Sequence, residues 1–453
     1  MTKENIYLSG GLPKLYLITA APIILVMLVN GIHTLVDAYF LGAFVGADAL
    51  TAVTLMFPIF MMLIGFSTWV SSGFSSVFAR LLGAKQLDEA GETYAGATLL
   101  ALIVSAIVII IFAIFGRAMI GWIANGSDDL AAMGYTYMSI LIFGSPIMFI
   151  LSINFDALRC EGRMPALAAI TLASSFLNMA FNYLLIVKLD FGVAGSAIGT
   201  LCAQFAALVA IIIYRRLRGA NFQIRWHGFK IARRHWREFL ALGATASLAN
   251  LGISLISTIT IYSLQKWSAN YEVTAGAYGI ITRLNTFAFL PLLGISIGMQ
   301  TIVGNNYGAK LYWRSNTALK IGLGTALVYN ACFQVLYFVF KDKIGFVFVD
   351  DAAIAAEIGH ILPITTMLMF MFGVNLMFSS YFQAIGDAAR AAILGMSRTI
   401  FFAIPLVLLL PYKLGEVGIW VAQPISEVLL TLLVVATLWL RQRKTGYKFG
   451  LFE

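Results

Sequence analysis

Charge, cysteine and catalytic signatures are all scarce in this chain. Asp, Glu, Lys and Arg make up 11% of its 453 residues, less than half of the roughly 25% usual in a soluble domain, which excludes a fold that presents a fully hydrated surface. Three cysteines, Cys160, Cys202 and Cys332, lie far apart with no CxxC pair and few histidines nearby. Neither a disulfide framework nor a thiolate-based metal centre is expected from them. No GxxxxGK[ST] loop occurs, so the chain lacks the usual cradle for nucleotide phosphates and ATP is not the expected source of energy. HExxH, GxSxG and a paired catalytic Cys and His are missing too. No catalytic residue and no cofactor are therefore assigned, and the chain is not read as an enzyme. The first apolar stretch, from about Leu15 to Leu41, is too long for a cleavable leader and has no small-residue cleavage motif; it reads as a membrane span.

What the chain has in quantity is apolar sequence: 60% hydrophobic residues, with 34 Phe and 17 Met. Runs such as Leu102 to Phe115 and Leu406 to Leu410 are nearly continuous, where a β-barrel strand would alternate, and in lipid such runs satisfy their backbone only as helices. Apolar stretches of bilayer-crossing length fall near 14–42, 49–79, 93–117, 131–158, 166–188, 193–214, 238–264, 274–306, 316–340, 355–384, 390–411 and 417–440. The expected fold class is thus an all-α polytopic membrane protein of twelve transmembrane helices in two six-helix bundles. The formal charge of +9 is unevenly spread: an arrangement with both termini cytoplasmic puts 23 of the 30 Lys and Arg on the inner side, with six outside and Arg283 within a span. That asymmetry sets the expected orientation. The longest polar interval, Tyr214 to Arg237, carries eight basic residues and reads as a positive-inside linker, not a nucleic-acid site. The expected domains are an N-lobe at 1–215, a basic cytoplasmic linker at 216–237, and a C-lobe at 238–453 ending in a short basic tail.

The two halves repeat. Ser71, Gly73 and Gly83-Ala84-Lys85 recur in the second half as Ser296, Gly298 and Gly308-Ala309-Lys310; Gly162 recurs as Gly386, and Gly192 and Gly195 recur as Gly415 and Gly418. One shared order and a nearly constant offset carry weight that single glycine matches lack. Six spans per half is even, so both halves enter the membrane in the same direction, related by a pseudo-twofold axis along the membrane normal. Such symmetry fits a transporter whose two bundles rock around a central site.

Ionisable residues inside spans are costly and mark functional sites. Three stand away from the inner span ends: Asp37 in the first span, Arg283 in the eighth and Glu427 in the twelfth. Asn30, His33, Thr34 and Asp37 follow i, i+3, i+4, i+7 spacing, one polar stripe on an apolar helix. In the fifth span Asn178 and Asn182 share a face at i, i+4, and Thr200 follows in the sixth. Asp37, Asn178, Asn182 and Thr200 supply a carboxylate, two amide oxygens and a hydroxyl, which can hold Na⁺ or, through the carboxylate alone, a proton. His33, Asn30 and Glu427 are candidates for relaying a proton or supporting that site. Ser247, Asn250, Ser254 and Ser257, and Asn375, Ser379 and Gln383, form stripes without charge that suit hydrogen bonds between helices. Asn250, Asn375 and Gln383, together with Arg283, are the candidate lining of a substrate cleft. Pro22 lies about four helical turns before Asp37 and removes a backbone hydrogen bond, making it the candidate hinge. Met and Phe in such numbers also suit a cleft that takes greasy cations of varied shape.

Pro22 and Asp37, Gly83-Ala84-Lys85, the order N-x3-N…G-V-A-G from Asn178 to Gly195, and G-E-V-G-I-W-V-A-Q-P-I-S-E from Gly415 to Glu427 together resemble the multidrug and toxic compound extrusion (MATE) family over essentially the whole chain. The resemblance implies export of organic, commonly cationic and amphipathic compounds across a prokaryotic plasma (inner) membrane, driven by H⁺ or Na⁺ and carried out by rocking of an N-lobe and a C-lobe; a functional monomer is expected. In the DinF-like branch the coupling site lies in the N-lobe, which here maps onto Asp37, Asn178, Asn182 and Thr200. Many relatives carry aspartate where Asn182 stands, so this site has one carboxylate fewer, and H⁺ and Na⁺ both remain open. NorM-like members use acidic residues in the C-lobe; none occurs here in the seventh, eighth or tenth membrane cores, which favours the DinF-like branch. A flippase for a lipid-linked precursor and, further off, a membrane enzyme are the alternatives.

Overall fold

The computed structural model of the protein describes residues 5–124, 127–219, 233–348, 352–447 and 451, with backbone alone at 30, 33–35, 38, 47, 245, 249–251, 253, 254 and 272. Most of the linker expected at 216–237 lies outside these residues. The described chain is helical throughout: α1 (Leu12–Phe40), α2 (Ala47–Leu55), α3 (Phe57–Gly83), α4 (Leu87–Ile123), α5 (Asp128–Phe143), α6 (Ser145–Cys160), α7 (Met164–Asn182), α8 (Gly192–Arg218), α9 (Trp236–Trp267), α10 (Tyr271–Gly308), α11 (Tyr312–Ile344), α12 (Ala352–Thr366), α13 (Met369–Ala384), α14 (Ala388–Met396), α15 (Ile404–Leu409) and α16 (Val417–Thr445). Among the described residues nine helices are long and apolar enough to cross a membrane, and eleven if the pairs α5–α6 and α12–α13, bent by 50° and 47°, each count as one span. The 32-residue α9 occupies the place of the seventh expected span and makes twelve. Lipid-side positions stay apolar: Ile110, Ile111, Ile114 and Phe115 on α4 are all exposed, a surface that only a bilayer would stabilise.

Bends fall where the backbone ladder is weakest. Pro146 opens α6 just after Gly144, and Pro363 precedes the break between α12 and α13. Wide, π-helical turns occupy Leu41–Val45, Tyr183–Lys188 and Ser397–Ala403, and such turns often sit at functional sites.

Two compact units form: one holds Met1–Ser9 and Leu25–Ser247, the other Gly10–Ile24 and Leu248–Glu453. The chain passes between units inside α1, just beyond Pro22, and again inside α9. In the first unit the start of α9 crosses α3 so closely that a Cβ on Gly73 would stand 1.9 Å from the Phe239 carbonyl oxygen, and one on Gly243 1.8 Å from that of Trp69. Only glycine permits backbones to approach in this way. Trp69 Nε1 donates to the Leu240 carbonyl at 2.8 Å, Trp236 Nε1 to that of Gly96 at 2.9 Å, and Arg80 pairs with Glu238 at 2.5 Å. In the second unit the start of α1 takes the matching place: a Cβ on Gly298 of α10 would meet Ala20, and Tyr16 donates its hydroxyl to the Ile295 carbonyl.

The repeat reaches the backbone caps. Lys85 and Lys310 both lie in the left-handed region, at φ 59° and 60°, as do Gly162 and Gly386 at 76° and 84°. In each case the next amide reaches back to close the helix end, Gln86 to Leu81 at 3.0 Å and Leu311 to Asn306 at 2.9 Å, Arg163 to Leu158 and Asp387 to Phe382 both at 2.9 Å, the Schellman closure.

Candidate functional site

Polar groups that an apolar helix carries at i, i+4 meet on one side of α7. Asn178 and Asn182 are 2% and 0% exposed, and α7 packs along α8, which brings them to Thr200. The groups form one chain of hydrogen bonds. Thr200 donates its hydroxyl to the Ser196 carbonyl at 3.0 Å, Asn178 Nδ2 donates to Thr200 Oγ1 at 3.2 Å, and Asn182 Nδ2 donates both to Asn178 Oδ1 at 3.0 Å and to Asp37 Oδ1 at 2.5 Å. All four residues singled out for ion coupling thus lie in a single network inside the first unit, between α1, α7 and α8. Wide turns follow immediately after α1 and α7.

Asn182 Oδ1 is the atom with nothing to do: it is buried and has no hydrogen-bond partner among the described residues. A buried amide oxygen left without a donor costs about 1–3 kcal/mol, and an oxygen atom beside a carboxylate is what a hard cation takes as a ligand. Asp37 and this oxygen would supply ligands to Na⁺; a proton needs only the carboxylate. No cluster of three His, Cys, Asp or Glu able to hold a metal occurs among the described residues, so one carboxylate with neutral oxygens is the donor set available.

The side chains of Asn30, His33 and Asn250 lie outside the described residues. Pro22 stands inside a continuous α1. Arg283 on α10 is exposed and forms no ion pair among the described residues. Glu427, Asn375 and Gln383 belong to the second unit. Glu427 is 3% exposed there; Asn375 Nδ2 donates to its Oε2 at 3.0 Å and Arg398 Nε to its Oε1 at 2.7 Å, while Thr431 donates to Asn375 Oδ1 at 3.2 Å. Gln383 is also buried. A cavity of about 230 Å³ opens in the same unit, with Tyr278, Phe372, Arg398, Trp420 and Glu427 in its lining.

Two residues escaped the sequence reading. Arg398 is one of the 23 cations that the charge asymmetry places on the inner side, although it stands about two helical turns past Arg390. Gly199 supplies the gap that Asn182 fills, and its spacing of four from Gly195 is the small-residue pattern of close helix contact.

Known proteins agree with this architecture. Multidrug export protein MepA of Staphylococcus saprophyticus is 24% identical over 442 residues, covering 96% of this chain and 95% of that one. A protein named FAD transporter from Shewanella oneidensis is 24% identical over 420 residues, covering 90% of each. A crystal structure described as MATE in the bent conformation superposes with a TM-score of 0.89 at 22% identity over 98% of both chains. The MatE family profile matches residues 22–184 and again 246–409, and the two matches are displaced from one another by the same offset as the glycine and lysine repeats. With both halves matched, the chain belongs to the MatE family of multidrug and toxic compound extrusion transporters.

Proposed function

We propose that the protein exports organic small molecules in exchange for H⁺ or Na⁺, with Asp37, Asn178, Asn182 and Thr200 as the coupling site. The observation that carries this reading is the half-buried Asp37–Asn182–Asn178–Thr200 chain, whose two asparagines are fully buried, with its one unpartnered oxygen, Asn182 Oδ1. A cation that occupies Asp37 removes a charge from inside the first unit, and a substrate on the opposite stroke can exploit that change only if the two occupancies exclude one another. Pro22 is the bending point through which occupancy at Asp37 reaches the start of α1, since the helix leaves one unit for the other just beyond it. Several relatives are named multidrug export proteins, which supports a polyspecific cleft for amphipathic, commonly cationic compounds. The relative named FAD transporter widens the range to an aromatic anion. The DinF-like reading keeps its support from the absence of acidic residues in the described cores of α9, α10 and α13. The protein works as a monomer in the plasma membrane with both termini inside.

Reconstitution into proteoliposomes under separately imposed H⁺ and Na⁺ gradients tests the coupling. Asp37→Asn preserves shape and hydrogen bonding but deletes the titratable charge. It is expected to abolish ion-driven efflux while leaving substrate binding intact; transport by Asp37→Asn at the parent rate under either gradient overturns the assignment.

A further inference from the structure

The cavity of the second unit contains none of the coupling residues in its lining, yet it encloses a charged pair. Glu427 faces it with a side chain 4% exposed, whereas the Arg398 side chain is 31% exposed. Both carboxylate oxygens of Glu427 are committed, one to Arg398 Nε and the other to Asn375 Nδ2. Asn375 is in turn held by Thr431 Oγ1 and by the Glu427 carbonyl, so the carboxylate is fixed in place. Arg398 is different. Its guanidinium lies 4.1 Å from the centroid of Phe372 and spends only Nε on Glu427. The terminal nitrogens, which carry the remaining N–H donors of the fork, have no acceptor among the described residues. The wide turn Ser397–Ala403 carries Arg398, and Tyr278 and Trp420, with ring centroids 6.0 Å apart, stand in the same lining.

A planar guanidinium with its terminal donors open, in a membrane protein and against aromatic walls, is built to meet the paired oxygens of a carboxylate. Arg398 is the more exposed of the two charges, 31% against 4%, so a ligand entering the cavity finds the cation more accessible than the carboxylate. The free pair is electrically neutral, +1 on Arg398 and −1 on Glu427. A ligand carboxylate adds −1, and one proton taken up by Glu427 cancels it, leaving Arg398 paired to the ligand and Glu427 as a neutral acid. At about 230 Å³ the cavity has room for a ligand of one or two rings. We propose that this cavity is a second binding site, for small aromatic carboxylates, and that Glu427 binds a proton as the ligand binds.

Among the cavity-lining side chains Arg398 and Glu427 are the charged ones and Tyr278 the one other ionisable group. α9 and α12 present hydroxyl and aliphatic groups, α13 presents Met369 and Phe372 with neutral Asn375 beside Glu427, and α10 adds Tyr278 with neutral groups such as Thr282 and Asn285. Arg283 of α10 and Glu357 and His360 of α12 are not part of the lining. The site does not depend on the ion-coupling reading, because binding is measured without a gradient.

The test is calorimetry of the full-length protein in detergent with 2-naphthoate, its neutral amide and 2-naphthylmethylammonium, at about pH 6 and about pH 8, where one linked proton changes affinity by up to about tenfold per pH unit. The expected results are naphthoate binding at least about tenfold tighter at the lower pH, loss of about tenfold or more in Arg398→Gln at both, and tight, pH-independent binding in Glu427→Gln. Asp37→Asn is expected to bind naphthoate as the parent does. Should Arg398→Gln fail to accumulate, the double variant Arg398→Gln with Glu427→Gln leaves no unpaired charge in the span and is expected to fold and to lose naphthoate. Equal affinity for amide and carboxylate, tighter binding of the ammonium compound, indifference to Arg398→Gln, or a pH dependence that survives Glu427→Gln overturns the proposal.

Discussion

Asn182 Oδ1 points at the bare Cα of Gly199, where a Cβ would stand 2.5 Å away. The two residues sit on the packed pair α7 and α8, and the missing side chain lets a fully buried amide keep its nitrogen on Asp37 and Asn178 while its oxygen stays unpaired. The coupling network therefore depends on the backbone of α8 as much as on its own polar groups.

Gly199→Ala follows from that contact. The added methyl must push the Asn182 side chain away, because the Asn182 backbone nitrogen and Phe181 Cβ, both at 3.4 Å, leave it no other direction. Overpacking of this kind costs about 1–3 kcal/mol, which a polytopic protein can survive, but the Asn182 bond to Asp37 is expected to break. Ion-driven efflux should fall by about tenfold or more with insertion unchanged, while Gly324→Ala on α11, where nothing lies within 4 Å, transports normally. Parent-like efflux by Gly199→Ala would remove Asn182 from the coupling site.

Lys85 and Lys310 predict a gain in stability. Each holds a left-handed conformation that costs a non-glycine residue about 1–2 kcal/mol, and glycine there gives back about 0.5–1 kcal/mol of that in unfolded-chain entropy. Lys85→Gly and Lys310→Gly should each stabilise by about 0.5 kcal/mol, seen as a small rise in the detergent unfolding temperature. Gly386→Ala, at φ 84°, should lower it. Equal shifts at the two lysines are expected from the repeat; a drop in either glycine variant contradicts the cap geometry.

Much of this architecture is written in the sequence because lipid makes polar residues rare and therefore informative. Asn178 and Asn182 stand out on an apolar helix, and their four-residue spacing already puts them on one face. The matching offsets of Lys85 with Lys310 and Gly162 with Gly386 turn out to be matching helix caps. The crossing of α1 and α9 between units could not be read, since both helices look like unbroken apolar spans and only long-range packing divides them at 24/25 and 247/248. Buried pairs near span ends were hidden for a similar reason. Glu161, whose side chain is 0% exposed, pairs with Arg163 at 3.2 Å and with the distant Arg215 at 2.8 Å; position along the chain gives neither depth nor partner.

Pro22 distinguishes the first half of the repeat from the second, which has Ser247 near the matching position. The unit boundary falls just beyond it in α1, whereas the equivalent boundary in α9 follows Ser247, which keeps its backbone N–H. A bend on ion binding is thus expected in α1 alone. Pro22→Ala restores the missing hydrogen bond and should slow turnover several-fold while changing substrate affinity little; a spin-label pair spanning Pro22 should lose its ion-dependent distance change. Unchanged turnover with normal expression counts against a hinge at this position.

Asn182→Asp distinguishes the two coupling ions. In the parent, Asp37 is the one carboxylate of the network, and Asn182 Oδ1, Asn178 Oδ1 and Thr200 Oγ1 are neutral oxygens. A carboxylate cannot be protonated and bind Na⁺ effectively at once, so H⁺ and Na⁺ should compete and Na⁺ affinity should fall as pH falls. A second carboxylate at 182 strengthens attraction for Na⁺ and adds a second oxygen pair at which a proton competes with it. Na⁺ affinity in Asn182→Asp should therefore rise by about tenfold at high pH and show a steeper loss on acidification than the parent, while Asp37→Asn binds Na⁺ weakly at every pH. The measurement is binding of radioactive Na⁺ to purified protein across a pH series. Affinity that ignores pH and both substitutions would place the coupling ion elsewhere, and Glu427, already committed to Arg398 and Asn375, would be the next carboxylate to test.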